Sequence, residues 1–321
     1  MVAVVAVDQL RKRYRSIEAL RGLTLQVEKG QIFGLLGQNG AGKTTLIKIL
    51  LGITRPTSGH AELLGFPAGS THVRRRVGYL PEDHRFPEYH TATSLLDFYG
   101  ALLGMNAAQR QKAIPPKLEL VGLAKRKDFK IRSYSKGMKQ RLGIAQALMH
   151  DPEIIFLDEP TDGVDPVGRR EIRDLLQSLK NEGKTIFINS HLLGEVELVC
   201  DRVAILQRGE MIRQGTTGEL TRQQGQYELA LAPGETFPVE ELARMGYDFK
   251  PCNRGWEIFL GNDRTIDPVV RHLVQSGLHL RHLVQKRQSL EDLFLATVDS
   301  AEPGVERLQA YTPNASAPVN A

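Results

Sequence analysis

Short apolar runs recur through the first two thirds of the chain, at positions 32–36, 77–80, 154–157, 185–188 and 203–206, with polar and glycine-bearing stretches between them. Runs of four or five apolar residues are what strands buried on both faces look like, and helical spacing in the intervals makes the whole an α/β pattern. Between 80 and 154 the strand signal stops. Positions 94–103 and 118–123 carry helical spacing there, joined by polar, proline-bearing segments, which predicts an inserted helical subdomain over about 84–150. Pro115 and Pro116 fall within this region, and because proline has no amide hydrogen for a helix interior, a helix break is expected at that point. The next helix is fully signalled: Asp165 caps it, Pro166 takes its first position, Ile172, Leu175, Leu176 and Leu179 share one face, and Gly183 closes it. Residues 203–215 read as a hairpin turning at Arg208 and Gly209.

Beyond Thr217 the pattern changes. Strand candidates at 227–231 and 256–260 alternate with helix candidates at 239–245, 267–275 and 289–297, a small α+β unit of roughly 80 residues. The expected organisation is therefore 1–218, 219–300 and a tail, 301–321, whose Ala, Pro, Asn and Ser content predicts disorder. The pentapeptide Arg-His-Leu-Val-Gln occurs at 271–275 and again at 281–285, too short a recurrence to imply repeat architecture.

Composition narrows the setting. With 321 residues, 41% of them hydrophobic, the chain has ample material for a core. The net charge of +5 comes from 42 basic and 37 acidic residues spread along the sequence, so no segment reads as a nucleic-acid arm and no specific nucleic-acid partner is expected. Cys200 and Cys252 lie far apart and outside any paired spacing, which points to reduced thiols and a cytoplasmic setting. The apolar start, 1–7, has no basic residue before it and is too short for a signal peptide, and no later stretch reaches the roughly 20 apolar residues of a spanning helix. A membrane role would have to go through a partner.

Two motifs carry chemistry. Gly37-Gln38-Asn39-Gly40-Ala41-Gly42-Lys43-Thr44-Thr45 follows a strand and precedes an apolar helix, the context a phosphate-binding loop requires. Its glycines let backbone amides turn inward, the following helix adds its positive end, Lys43 bridges the β- and γ-phosphates, and the Thr44 hydroxyl holds Mg²⁺. The strand at 154–157 then ends in Asp158 and Glu159. Asp158 is expected to hold the metal and Glu159 to polarise the attacking water, so ATP and Mg²⁺ are the expected ligands.

The stretch Tyr134-Ser135-Lys136-Gly137-Met138-Lys139-Gln140-Arg141-Leu142 opens a helix with Met138, Leu142, Ala145 and Leu148 along its apolar side. Taken alone, Ser135 is an ordinary helix cap. Together with the phosphate loop and the acidic pair, the stretch resembles the signature motif of ABC transporter ATPases, and the resemblance covers about 4–215. The Tyr-Ser-Lys-Gly-Met wording, with the ending Ser289-Leu290-Glu291-Asp292-Leu293-Phe294, resembles the bacterial ABC-2 type exporter branch. What this implies is a P-loop NTPase of ABC ATPase type with an inserted helical subdomain and a small C-terminal α+β domain. It further implies that Tyr14 stacks on adenine, that Asp165 is the D-loop aspartate and that His191 is the switch histidine, acting with Glu159 and Lys43 in hydrolysis. Ser135 and Gly137 would meet the γ-phosphate of ATP bound by the other subunit of a head-to-tail dimer, expected to be an identical copy. Separate integral membrane permease subunits would dock around 85–103, holding the chain at the inner face of the cell membrane.

Departures from the family pattern stand at three places. Glu82 replaces the usual glutamine after the strand at 77–80, so any metal coordination there would be by carboxylate; Lys136 and Met138 replace the commoner glycine and glutamine. The alternative reading is a soluble ABC ATPase acting on nucleic acid or ribosomes. Such proteins typically carry two nucleotide domains or a long coiled coil, whereas this chain has one phosphate loop and no sustained heptads.

Overall fold

In the computed structural model, which describes residues 3–260, 264–287 and 289–300, two antiparallel strands come first, β1 (Ala3–Tyr14) and β2 (Ile17–Glu28). There follow β3 (Ile32–Leu36), α1 (Lys43–Leu50), β4 (Ser58–Leu63), β5 (Phe66–Pro67), α2 (Thr71–Arg74) and β6 (Val77–Leu80). Next come α3 (Ala92–Leu102), α4 (Ala107–Leu120) and α5 (Lys136–Ala147), then β7 (Ile154–Asp158), α6 (Pro166–Asn181), β8 (Thr185–Ser190), α7 (Leu193–Val199), β9 (Arg202–Gln207), β10 (Glu210–Thr216) and α8 (Thr217–Thr221). The remainder is β11 (Arg222–Leu231), α9 (Val239–Arg244), β12 (Asp248–Cys252), β13 (Gly255–Phe259), α10 (Asp267–Gln275), β14 (Leu280–Arg287) and α11 (Leu290–Ser300). The tail read as disordered, 301–321, lies outside the described residues.

The apolar runs assemble into one sheet in the order β10-β9-β3-β8-β7-β6, parallel except for the β10 edge. Alternate side chains serve two cores. Ile32 and Leu36 of β3, with Ile155, Leu157, Ile186 and Ile188, face the helices α3 to α7. Phe33 and Leu35, with Ile154, Phe156 and Phe187, face a second sheet, β2-β1-β4-β5, and α1. Burial on both faces is why these strands are apolar throughout. The parallel strands deliver their C-terminal ends to one edge, where loops from β3, β6, β7 and β8 converge.

The β1–β2 hairpin was not among the expected strands. In β2 alternate positions are buried, with Leu23, Leu25 and Val27 in the core and Thr24 and Gln26 exposed, and such alternation lacks the continuous apolar run. The strand β1 does open with one, at 3–7, where adjacent Val4 and Val5 are both buried, but at the chain start that run resembles a short leader more than a strand.

The helix break expected at Pro115 and Pro116 does not occur, for α4 runs through both. The prolines lie on its exposed side while Ile114 and Leu118 are buried. The carbonyls of Gln111 and Lys112, which lose their amide donors, belong to exposed residues that water reaches. A reciprocal cap between Asn106 and Gln109, at 2.8 and 2.9 Å, fixes the helix start.

The C-terminal unit is an antiparallel sheet, β12-β13-β11-β14, whose own core joins Leu229 and Ile258 to Leu242 of α9 and to Val269 and Leu273 of α10. Its last helix, α11, instead packs back on α7 and α8. Among the described residues, no helix is long and apolar enough to cross a membrane.

Candidate functional site: a phosphate loop facing buried carboxylates

Backbone crowding sets the loop between β3 and α1. A Cβ on Gly37 would stand 2.4 Å from the carbonyl oxygen of Leu206 in β9, and one on Gly42 2.5 Å from that of Ala19 in β2. Gly42 also has φ of 108°, which disfavours any side chain. Ala41 is buried and pins the loop, its amide donating to Gln38 O at 3.1 Å and its carbonyl accepting from Gly209 N at 3.0 Å. No side chain caps α1, which leaves amide donors of its first turn for an anion.

Lys43 is buried, its ammonium donating to the carbonyls of Gly37 at 2.7 Å and Gln38 at 3.2 Å. Burial lowers its pKa, and the carboxylates of Glu159, Asp158 and Glu82 pull in the opposite direction. Lys43, Glu82 and Glu159 line a cleft of about 320 Å³ together with Tyr14, Ala19, Asn39, Gly40, Gly42, Thr44, Thr45 and Asn189. Tyr14 is 42% exposed, with the Lys12 ammonium 4.7 Å from its ring centroid. A larger cleft of about 660 Å³, beside Met105 and Met149, holds none of the predicted site residues.

The acidic pair ends β7. Asp158 is 1% exposed, and burial pushes its carboxyl up to about 6, with Glu82 and Glu159 adding to the rise while the Asn189 hydrogen bond and Lys43 oppose it. Asn189 reaches it because the β7–β8 register places the two residues opposite each other, and its Nδ2 donates to Asp158 Oδ1. Glu159 has left the strand, with φ of 51°, and its amide donates to Asn189 O at 2.9 Å. Its carboxylate is fixed at both oxygens, with His191 Nδ1 2.8 Å from Oε1 and Ser190 Oγ donating to Oε2 at 3.2 Å. Gln140 of α5 donates to its carbonyl at 3.3 Å.

The other predicted residues gather apart from the cleft lining. Ser135 caps α5, its Oγ accepting from Met138 N at 3.2 Å. Asp165 caps α6, Oδ1 accepting from Gly168 N at 2.8 Å. The two loops touch: a Cβ on Gly137 would meet Val164 Cγ1 at 3.2 Å, and Lys136 Nζ reaches Asp162 Oδ2 at 3.0 Å. That ion pair holds the Asp162 carboxyl below its usual range. Thus Lys43, Thr44, Glu82, Asp158, Glu159 and His191 form one group, and Ser135, Gly137 and Asp165 another. Sequence reasoning missed Asn189, Ser190 and Gln140 as partners of the acidic pair. Strand register and helix packing bring them there, and no local motif announces that.

The chain matches the family model described as ABC transporter over residues 20–162. It is 49% identical to an uncharacterized ABC transporter ATP-binding protein of Nostoc, over 95% of this chain and 93% of the relative. It is 38% identical to Nod factor export ATP-binding protein I of Ralstonia nicotianae, over 74% of each. Among solved structures, a dimeric ATP-binding cassette in a post-hydrolysis state bound to ADP and Pi matches with a TM-score of 0.60 and 25% identity, covering 66% of this chain and 98% of that one.

Proposed function

We infer, from a chain that belongs to the family of ABC transporter ATP-binding proteins, that it hydrolyses ATP as half of a head-to-tail dimer and drives a separate membrane permease, in the export direction. The observation that carries this reading is the division of the site. Lys43 and Glu159 line one cleft, with His191 held against Glu159 at 2.8 Å, while Ser135 and Gly137 of the same chain neither line it nor contact its acidic pair, so a second subunit would complete each cleft. The dimeric solved relative and the Nod factor export relatives support the partner and the direction. The same reading places the chain at the inner face of the membrane through its permease.

In hydrolysis, Glu159 would accept the proton of the attacking water. Its carboxylate is already oriented by His191 and Ser190, so little rearrangement precedes attack. Lys43 would exchange its loop carbonyls for phosphate oxygens, and Tyr14 would stack on adenine. The Thr44 hydroxyl, Asp158 and Glu82 are an all-oxygen donor set, of the kind that suits Mg²⁺, and Asp158 is a carboxyl raised first by its burial and then by the neighbouring Glu82 and Glu159, charge that a bound cation would offset. Bound there, the ion would neutralise charge on the phosphates. Moving the open–closed balance from 1:99 to 99:1 takes about 5.5 kcal/mol of differential affinity, which a nucleotide clasped by two chains can supply.

Glu159→Gln keeps the shape and removes the base. It is expected to accumulate ATP-bound dimer by mass measurement and to lower turnover by roughly a hundredfold or more. Turnover at the wild-type rate would take the base role from Glu159, and a chain that stays single at saturating ATP, alone and with its permease, would end the dimer reading.

A further inference from the structure

Leu290 and Phe294 of α11 are no part of the C-terminal unit's core. Leu290 is fully buried and Phe294 9% exposed, in the same cluster as Val196 of α7 and Cys200 just beyond it. A polar contact seats the helix as well. Glu197 Oε2 of α7 accepts the Leu290 amide at 2.9 Å, putting a carboxylate on a first-turn donor. Ser289 and Asp292 cap the same turn reciprocally, Ser289 N donating to Asp292 Oδ2 and Asp292 N to Ser289 Oγ, each at 3.0 Å.

The helix it seats against matters, because α7 starts two residues after His191. Between them, the Leu192 amide donates to Ser190 Oγ at 3.0 Å, the hydroxyl that also bonds Glu159. With seven residues and no side-chain cap, α7 is too short to hold its shape without packing. One side lies against β3, so close that a Cβ on Gly34 would meet Val196 Cγ1 at 2.6 Å. Another lies against α11.

We infer that α11 is a strap across α7, and that Leu290 and Glu197 are positioning residues for the segment bearing His191. The C-terminal unit then belongs to the hydrolytic machinery: displacing α11 loosens α7, and His191 drifts from Glu159. The effect on rate rests on the hydrolytic reading above; the effect on α7 does not.

The test uses the full-length chain, with hydrolysis kinetics and amide hydrogen exchange measured side by side. Leu290→Ala and Glu197→Ala are expected to lower kcat about tenfold, leave KM for ATP within about twofold, and speed exchange across 192–199 while α1 keeps its protection. Leu290→Met and Glu197→Gln, which keep the volume and the acceptor, should return both readouts close to wild type. Leu295→Ala, at a position 56% exposed on the same helix, should change neither. Wild-type exchange across 192–199 in Leu290→Ala would overturn the strap, as would a parallel loss of protection in α1, which marks general loosening. A wild-type chain without hydrolysis would overturn the ATPase reading instead, and the exchange comparison would still decide the strap.

Discussion

Asp158 concentrates the physical tension of the site in one side chain. A carboxyl 1% exposed, with Glu82 and Glu159 near, resists ionisation and is pushed from 3.8 up to about 6. The folded chain therefore holds a proton there, between about pH 4 and 6, that the unfolded chain has released, so stability without nucleotide declines as pH rises through that window and stays low above it. A rise of this size corresponds to on the order of 2–3 kcal/mol. Asp158→Asn keeps the shape and removes the charge. It should raise the Tm of the nucleotide-free chain near about pH 7.5, with the gain vanishing near about pH 4, and should abolish hydrolysis. Calorimetry at the two pH values checks it; an equal shift at both would mean packing, not charge, is responsible. Asp158 and Glu159 are legible in the sequence because an apolar strand ends abruptly in acid. Asn189 is not, because its partnership is made by the β7–β8 register across 31 residues of chain.

At the level of elements, legibility follows burial. Strands buried on both faces show as apolar runs, and β3, β6, β7, β8 and β9 lie where the runs predict them, whereas β2 hides in an alternation interrupted by charge and the apolar opening of β1, at 3–7, gives way to polar residues from Asp8 onward. The sharpest limit is the pentapeptide Arg-His-Leu-Val-Gln, helical at 271–275 within α10 and extended at 281–285 within β14. Five residues cannot choose. The first copy follows Pro268 in a helical first turn and buries Leu273, while the second pairs with β11, placing Leu283 opposite Leu229. Tertiary packing also overrides the prolines of α4. If burial of Ile114 and Leu118 holds that helix despite missing amides, Pro115→Ala and Pro116→Ala should each stabilise the chain by about 1–2 kcal/mol, the gain of a helix donor less the added entropy of the unfolded chain. Urea unfolding should then show a higher midpoint with an unchanged slope. A lower midpoint would mean the proline rings contribute packing that exceeds the missing bonds.

For the whole molecule, the loop from Pro81 to Thr91 lies between the two groups of site residues. At one end Glu82 lines the nucleotide cleft. Further along, Glu88 pairs with Lys139 at 3.0 Å, tying the loop to α5, the helix capped by Ser135. Its tip is held from beneath by Lys130 Nζ, which donates to Tyr89 O at 2.7 Å, and by the Ile131 amide, which donates to His90 O at 2.9 Å. On this braced loop Tyr89 is 71% exposed, and Phe98 of α3 is 48% exposed, each ring beside that of His90. Exposed aromatics on a rigid base suit a permanent partner, and a permease seated here would feel both the chain's own nucleotide and the motif offered to its neighbour. Replacing Tyr89 and Phe98 together by alanine should therefore separate two properties. Recovery with the permease should fall at least about tenfold, since each anchoring aromatic is worth roughly 2 kcal/mol. Nucleotide binding by the isolated chain should stay at the wild-type level, because neither ring touches the cleft. Undiminished recovery with the permease would move the docking site elsewhere, and a loss of nucleotide binding in step with it would mean that the aromatics brace the loop instead of meeting a partner.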